Sequence, residues 1–436
     1  MGEKKSTKLE EQEQSPAKDE VEISSILLFK SQDFLSDLDI AREMFEIIEP
    51  ILSEKDEEQK KHVDSIIDEI TGKIKEVDDS EEDTEVEISY NDLQKLQKGV
   101  SRMYKAGIMF RQNSIVLLIS KLDEFVTELL KIALGENPEI VKNSEKSINY
   151  DQIFKYDSIN DMIRDIVSEE IDSLMRKSHA VSISYLDDSF KLGVIENITD
   201  WPAFIELTQR RNLFVHSGGK INSQYIENCK KYKVELGDDI EVGKGLSVDQ
   251  EYFQRSFLLL YEIGIRLSQA LYRRLFPDKL NKANTILNDI GFDLMVEERW
   301  EIADIIFSFA VNIPEKLMGS REDYLRFLIN SAICKKHLGE DKKLNKLLDS
   351  VDWGAYKAIF KLAVSVLKNE FEKASQIMLS IDTEEISDHS YRTWPLFKEF
   401  RETDGFKISY KKKFGEDYET DLKEEDILKS EDIEVA

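Results

Sequence analysis

The chain has 436 residues, of which 41% are hydrophobic and 34% charged, enough for two or three domains with real cores under a densely charged surface. A formal net charge of −28 opposes nonspecific coating of a nucleic acid and leaves only local basic patches for that role. Two cysteines, Cys229 and Cys334, suggest neither a disulfide framework nor a zinc site. With only 7 prolines and 18 glycines among abundant Leu, Ile, Lys and Glu, the expected fold class is all-α.

Residues 1–20 are charged throughout, without the apolar stretch of a signal peptide, and read as a disordered tail. Gly2 with Ser6 partly fits a myristoylation pattern, but the same run reads more simply as solvated. No apolar run reaches about 18 residues, so no membrane span and a cytoplasmic location are expected. From Val21, apolar residues recur every three or four positions (Ile23, Ile26, Leu27, Phe34, Leu35, Leu38, Ala41, Phe45, Ile48, Ile51, Leu52), which predicts a helix. A second helix is predicted over Val63, Ile66, Ile67, Ile70 and Ile74, and the acidic run from Glu76 to Glu85 reads as a linker. Ser89 or Asn91 is the expected cap of the following helix.

The segment Met109 to Leu134 is apolar almost all round, as suits the central helix of a bundle, and Gly135 and Pro138 end it. Its charged exceptions are Arg111, Lys121, Asp123, Glu124, Glu128 and Lys131. Asn137 to Asn149 reads as a loop, Ile159 to Leu174 as a helix, and Tyr185 to Val194 as a short helix with a turn. Thr199 or Asp200 caps the next helix, Pro202 lies in its first turn, and Gly218-Gly219 stop it. Alternation over Tyr232–Gly237 and Ile240–Gly243 predicts a small hairpin or an extended loop. Ser247 to Gln250 fits a capping box, and a long helix runs from there to a stop before Pro277.

Beyond it, Gly291, Leu294, Ala303, Phe307 and Ala310 occupy small and large positions of a helix–turn–helix repeat, echoed at Leu344/Leu348 and Ala374/Met378. The intervals, 41 residues from Ala303 to Leu344 and 30 from Leu344 to Ala374, are irregular. They scatter around the period of about 34 of a tetratricopeptide unit, so three degenerate helical pairs stacked as a short solenoid are expected. Trp300 and Trp353 read as core, and from Asp404 the chain is charged and expected to fray.

The densest chemistry lies in Gln209-Arg210-Arg211-Asn212-Leu213-Phe214-Val215-His216-Ser217-Gly218-Gly219. On a helix Asn212 and His216, four apart, share a face; Arg211 lies about 140° from His216, yet its long side chain can reach back. His216 falls in the last turn, where a helix favours positive charge. A histidine can donate or accept a proton near neutral pH, and an arginine supplies fixed charge for a phosphate. Together these suffice for RNA cleavage without a metal or other cofactor: the ribose 2′-hydroxyl attacks its neighbouring phosphate and leaves a cyclic phosphate. The plainer alternative is an Arg paired with Glu206 and a His that simply terminates a helix.

The stretch Glu206-x3-Arg210-Arg211-Asn212-x3-His216-Ser-Gly-Gly-x2-Asn222-x2-Tyr225 resembles the signature of HEPN-superfamily ribonucleases. Ser120-x-Leu122-Asp123-x-Phe125 is similar to the acidic position on that family's first core helix, and the helix after Ser247 to its closing helix. The resemblance covers roughly residues 100–276, and the insertions at 136–158 and 232–246 are not core elements of the family fold. Together with the periodicity and charge read above, this divides the chain into an N-terminal helical region at 21–88, an HEPN-like bundle at 89–276, tetratricopeptide-like repeats at 277–403 and a charged tail at 404–436.

The resemblance further implies a homodimer with one composite site, in which Arg211 and His216 are catalytic and Asn212 is the polar residue after the Arg. Asp123 would orient Arg211 or His216, its alternative being a solvent-facing carboxylate near Lys121. Asn222 and Tyr225 would tie the turn after the motif to the bundle. Arg210, Lys220, Lys230, Lys231 and Lys233 form the nearest basic cluster, a candidate RNA track or a plain solvated face. His62, His179, His337 and His389 show no metal-ligand spacing. The implied function is a metal-independent endoribonuclease, a toxin or antiviral-defence effector acting on RNA, with a protein partner or inhibitor on the repeats. A noncatalytic dimerising scaffold is the alternative; nucleotidyl transfer with a partner is a third, resting on the association of such bundles with those enzymes.

Overall fold

Apolar residues three and four apart along most of the chain wind it into helices, and the computed structural model is about 78% helical. It describes residues 22–78, 102–143, 156–237 and 240–419, with no strand among them. The N-terminal tail, the acidic linker after Asp78, the caps expected at Ser89 or Asn91, the end of the 137–149 loop and the chain from 420 onward lie outside the described residues.

The first helix, α1 (Ile23–Asp78), is continuous where two helices are expected, and it carries Pro50 inside. Proline removes one backbone donor and strains the turn before it. Tertiary contacts on both sides hold the helix together. Arg111, on α2 (Arg102–Glu136), binds Glu49 through Nε at 2.8 Å and Asp56 through Nη1 at 2.6 Å, so one guanidinium spans the proline. Phe34 stacks on Phe125 with ring centroids 4.3 Å apart, and Phe45 stacks on Phe253 at 3.8 Å.

Next come α3 (Ile159–Met175), α4 (His179–Phe190), the motif helix α5 (Trp201–Ser217), α6 (Ser223–Lys231) and the long α7 (Gln250–Leu275). Helix α2 packs against α1, α3, α4, α5 and α7, which makes it central. The cap of α7 is Asp249, whose carboxylate accepts from Tyr252 N at 2.7 Å, two residues beyond the expected Ser247.

The alternating segment after α6 forms neither hairpin nor strand among its described residues; a single bridge joins Lys220 to Gly245. Its apolar side chains Val234, Leu236, Ile240 and Leu246 instead cover a small cluster of Leu213, Ile221, Tyr225 and Cys229. Covering α6 takes up the apolar face that a second strand would have needed.

The C-terminal part contains three successive helical pairs: α8 (Leu280–Val296) with α9 (Trp300–Ala310), α11 (Arg321–His337) with α12 (Asp341–Asp349), and α13 (Ala358–Leu367) with α14 (Phe371–Ser380). The short α10 (Glu315–Met318) separates the first two pairs. Each pair turns through three residues, the middle one left-handed: Glu298 (φ 58°), Gly339 (φ 70°) and Asn369 (φ 59°). In each turn the next amide closes onto the carbonyl five residues back, from Arg299 to Leu294, Glu340 to Lys335 and Glu370 to Ser365, all at 2.8 Å. The repeat is thus written in backbone geometry more clearly than in residue identity, since only one of the three positions is glycine.

The chain does not fray at Asp404. Helix α16 (Asp404–Phe414), which follows α15 (Asp388–Thr393), buries Phe406 and Tyr410 among Tyr391, Phe397 and Phe400. Its charged residues are surface positions on an amphipathic helix, which composition alone cannot separate from a tail. Trp300 and Trp353 are half-buried; Trp300 stacks on His337 at 3.8 Å and Trp353 donates to Leu348 O at 2.6 Å.

One contiguous apolar core runs from Leu27 to Tyr410, so the bundle and the helical pairs share it. Arg273 reaches across this junction: buried on α7, it donates to Leu317 O at 2.8 Å. Where α8 crosses α9, Gly291 leaves no room for a Cβ against the Phe307 ring. Gly291→Ala is therefore expected to destabilise the protein by about 1–3 kcal/mol, read as a lower thermal midpoint. An unchanged midpoint would mean that Phe307 moves aside freely.

Candidate functional site

Local signals place the motif helix. Asp200 accepts from Ala203 N at 2.9 Å, with Pro202 beside it at the helix start, and Gly218 closes the helix in the left-handed region at φ 57°. Gly219 follows at φ 76°, its N–H bonded to Leu213 O at 3.0 Å. A Cβ on Gly219 would approach Gln112 Nε2 of α2 to 2.8 Å. Gly219→Ala is expected to cost about 1–2 kcal/mol of stability by chemical denaturation, the penalty of a left-handed side chain. A cost near zero would show that the turn relaxes.

Successive residues of a helix point about 100° apart, so the two adjacent arginines take different surroundings. Arg210 turns inward. Its Nε donates to Glu206 Oε1 at 2.7 Å, its Nη1 donates to Ser247 O at 2.9 Å, and its guanidinium lies 3.9 Å from the Tyr252 ring centre. Glu206, 8% exposed, also accepts from Tyr225 Oη at 2.6 Å and Tyr252 Oη at 2.7 Å. Burial, and then the Glu206 carboxylate, holds both phenols well above the usual tyrosine range, so they remain donors. The same two causes push the Cys229 thiol up to about 11, which keeps it unreactive.

Arg210, expected in the basic cluster, is 14% exposed and pairs with the interior Glu206 carboxylate. Lys220, Lys230, Lys231 and Lys233 are exposed. Asn222 caps α6 by accepting from Tyr225 N at 2.8 Å, so Asn222 and Tyr225 both anchor the segment after the motif.

Arg211 faces α2 instead. Its Nη2 lies 3.8 Å from Asp123 Oδ2, its Nη1 donates to Asn212 Oδ1 at 3.2 Å, and its buried Nε has no partner. Asp123 does not pair with Lys121, which reaches Asp37 at 3.0 Å and Glu124 at 3.2 Å. Asp123 Oδ1 instead takes His179 Nε2 at 3.0 Å, from the first residue of α4. Three helices thus deliver Asp123, His179, and Arg211 with Asn212 to one cluster. His216, one turn beyond Asn212, is exposed, beside Val215 at 47% exposure.

His179 has no place in the motif. It lies 56 positions from Asp123 and 32 from Arg211, and no local spacing could have selected it. The cluster lies outside the groove on the Glu206 side of α5, which Arg210, Tyr225, Lys233, Tyr252 and Arg255 line. Among the described residues, no three His, Cys, Asp or Glu side chains are grouped to hold a metal ion, and no helix is long and apolar enough to cross a membrane.

Fold and site together define an all-α protein with a polar cluster on its motif helix. No protein-family model, curated protein or solved structure matches the chain.

Proposed function

We propose that this chain is a metal-independent endoribonuclease of the HEPN kind, with Arg211 and His216 at the reaction centre of a site completed by a second copy. The observation that supports this most is the state of Arg211. Its guanidinium is held loosely, at 3.8 Å from Asp123, and an exposed histidine, His216, lies five residues further along the same helix. The Arg211 side chain is 22% exposed, and a loosely held guanidinium on a structured site is suited to a phosphate.

In this reading the ribose 2′-oxygen attacks the adjacent phosphorus and the bond to the 5′-oxygen breaks. His216 accepts the proton of the 2′-hydroxyl, the second copy's His216 gives a proton to the departing 5′-oxygen, and Arg211 offsets the charge that builds on the phosphoryl oxygens. The products are a 2′,3′-cyclic phosphate and a 5′-hydroxyl. Asn212 and Asp123 orient the guanidinium. The three helical pairs are the part that meets a protein partner or inhibitor, and a toxin or antiviral-defence effector is the biological setting.

The deciding experiment incubates the purified full chain with end-labelled single-stranded RNA, with and without EDTA, and identifies the product ends. Cleavage that survives EDTA and leaves cyclic phosphate supports the reading. No cleavage under either condition, together with harmless expression, replaces it with the noncatalytic dimerising scaffold.

A further inference from the structure

The cluster around Arg211 includes one side chain that the motif does not provide. His179 Nε2 lies 3.0 Å from Asp123 Oδ1, and the His179 side chain is only 13% exposed. The other oxygen of the same carboxylate faces Arg211 Nη2. A carboxylate is planar, so a partner on one oxygen fixes the direction of the second. An aspartate without such a partner would sample several rotamers and hold Arg211 only part of the time.

Arg211 has little else to hold it. Asn212 gives one acceptor at 3.2 Å, and Nε finds none. The orientation of the guanidinium therefore depends on Asp123, and that of Asp123 on His179. Ser178, at the N-cap position of α4, makes no side-chain capping bond, so the contribution of this helix start to the cluster is the imidazole.

We propose that His179 is a positioning residue of the site: its Nε2, 3.0 Å from Asp123 Oδ1, sets the carboxylate that orients Arg211. This rests on the nuclease reading above. It adds a third helix, α4, to a site otherwise confined to α2 and α5, and it makes the turn between α3 and α4 part of the functional structure.

The test compares the full-length wild type with His179→Ala, His179→Gln, Asp123→Ala and the Asp123→Ala/His179→Ala double variant. The kcat and KM for a labelled single-stranded RNA are measured beside thermal melting. His179→Ala is expected to lower kcat by about 10²-fold with KM nearly unchanged, the scale of a misplacement of about 1 Å. His179→Gln, which keeps an N–H for Asp123, is expected to recover most of that loss. In the double variant the loss of His179 is expected to add nothing to that of Asp123, because one acts through the other.

The proposal is overturned if His179→Ala keeps wild-type kcat, if His179→Gln is no better than His179→Ala, or if the two losses multiply. Should the alanine variant fail to fold, His179→Leu, which keeps bulk but has no N–H, takes its place. A wild type that cleaves while His179→Ala cleaves equally well removes this inference alone. A wild type that cleaves nothing removes the nuclease reading and this inference with it.

Discussion

If the chain cleaves RNA as proposed, His216→Ala and Arg211→Ala are each expected to lower the rate by about 10²–10⁴-fold, the range that general acid–base catalysis and charge stabilisation contribute. Folding is expected to survive both changes. His216 is exposed, and Arg211 is tied to the protein by one long ion pair and one neighbouring amide. Loss of activity with an unchanged melting temperature separates chemistry from structure. Arg211→Lys is expected to restore little, since a lysine keeps the charge but not the fork that reaches Asp123 and a phosphate together. The double variant should lose scarcely more than either single variant, because residues of one reaction centre act as a unit. Two variants that cut RNA at the wild-type rate would end the assignment, even if the wild type is a nuclease.

The second large effect is on stability. Glu206→Leu removes a carboxylate that accepts from Arg210, Tyr225 and Tyr252. The leucine leaves a guanidinium 14% exposed with no charged partner, and two phenols that have lost their acceptor. Breaking a buried pair from one side costs about 3–5 kcal/mol. The cost should appear as an earlier midpoint in urea unfolding followed by circular dichroism. Glu206→Gln keeps one acceptor oxygen and is expected to cost less, about 1–3 kcal/mol for the unmatched donors. A loss below about 1 kcal/mol for Glu206→Leu would mean that Arg210 escapes to water, as exposed pairs do. Because this network fixes how α5 is rotated, Glu206→Leu should also lower cleavage by moving Arg211 off Asp123.

These two expectations divide the motif in a way its letters do not. Arg210 and Arg211 are adjacent and chemically identical, and both fall within reach of a phosphate on paper. The packing of α5 sends one to Glu206 and the other toward Asp123. The difference is a helical rotation of about 100°, set by which neighbours surround the helix. The same limit applies at Asp123: the nearby Lys121 looks like its partner in sequence, yet Lys121 binds Asp37 of α1 and Asp123 binds His179 of α4.

The sequence by itself determined the features whose causes lie within a turn or two of chain. The all-α class follows from apolar spacing and scarce breakers. The ends of α5 follow from Asp200, Pro202 and the left-handed Gly218, and so does the place of His216 in its last turn. Tertiary structure alone decided the rest. It kept α1 continuous through Pro50 by an arginine 61 residues further on, folded the charged stretch after Asp404 onto an aromatic cluster, and brought His179 to the motif helix. Each of these rests on a contact between positions far apart in the chain, formed only when apolar faces pack, and periodicity describes a face without naming what will cover it.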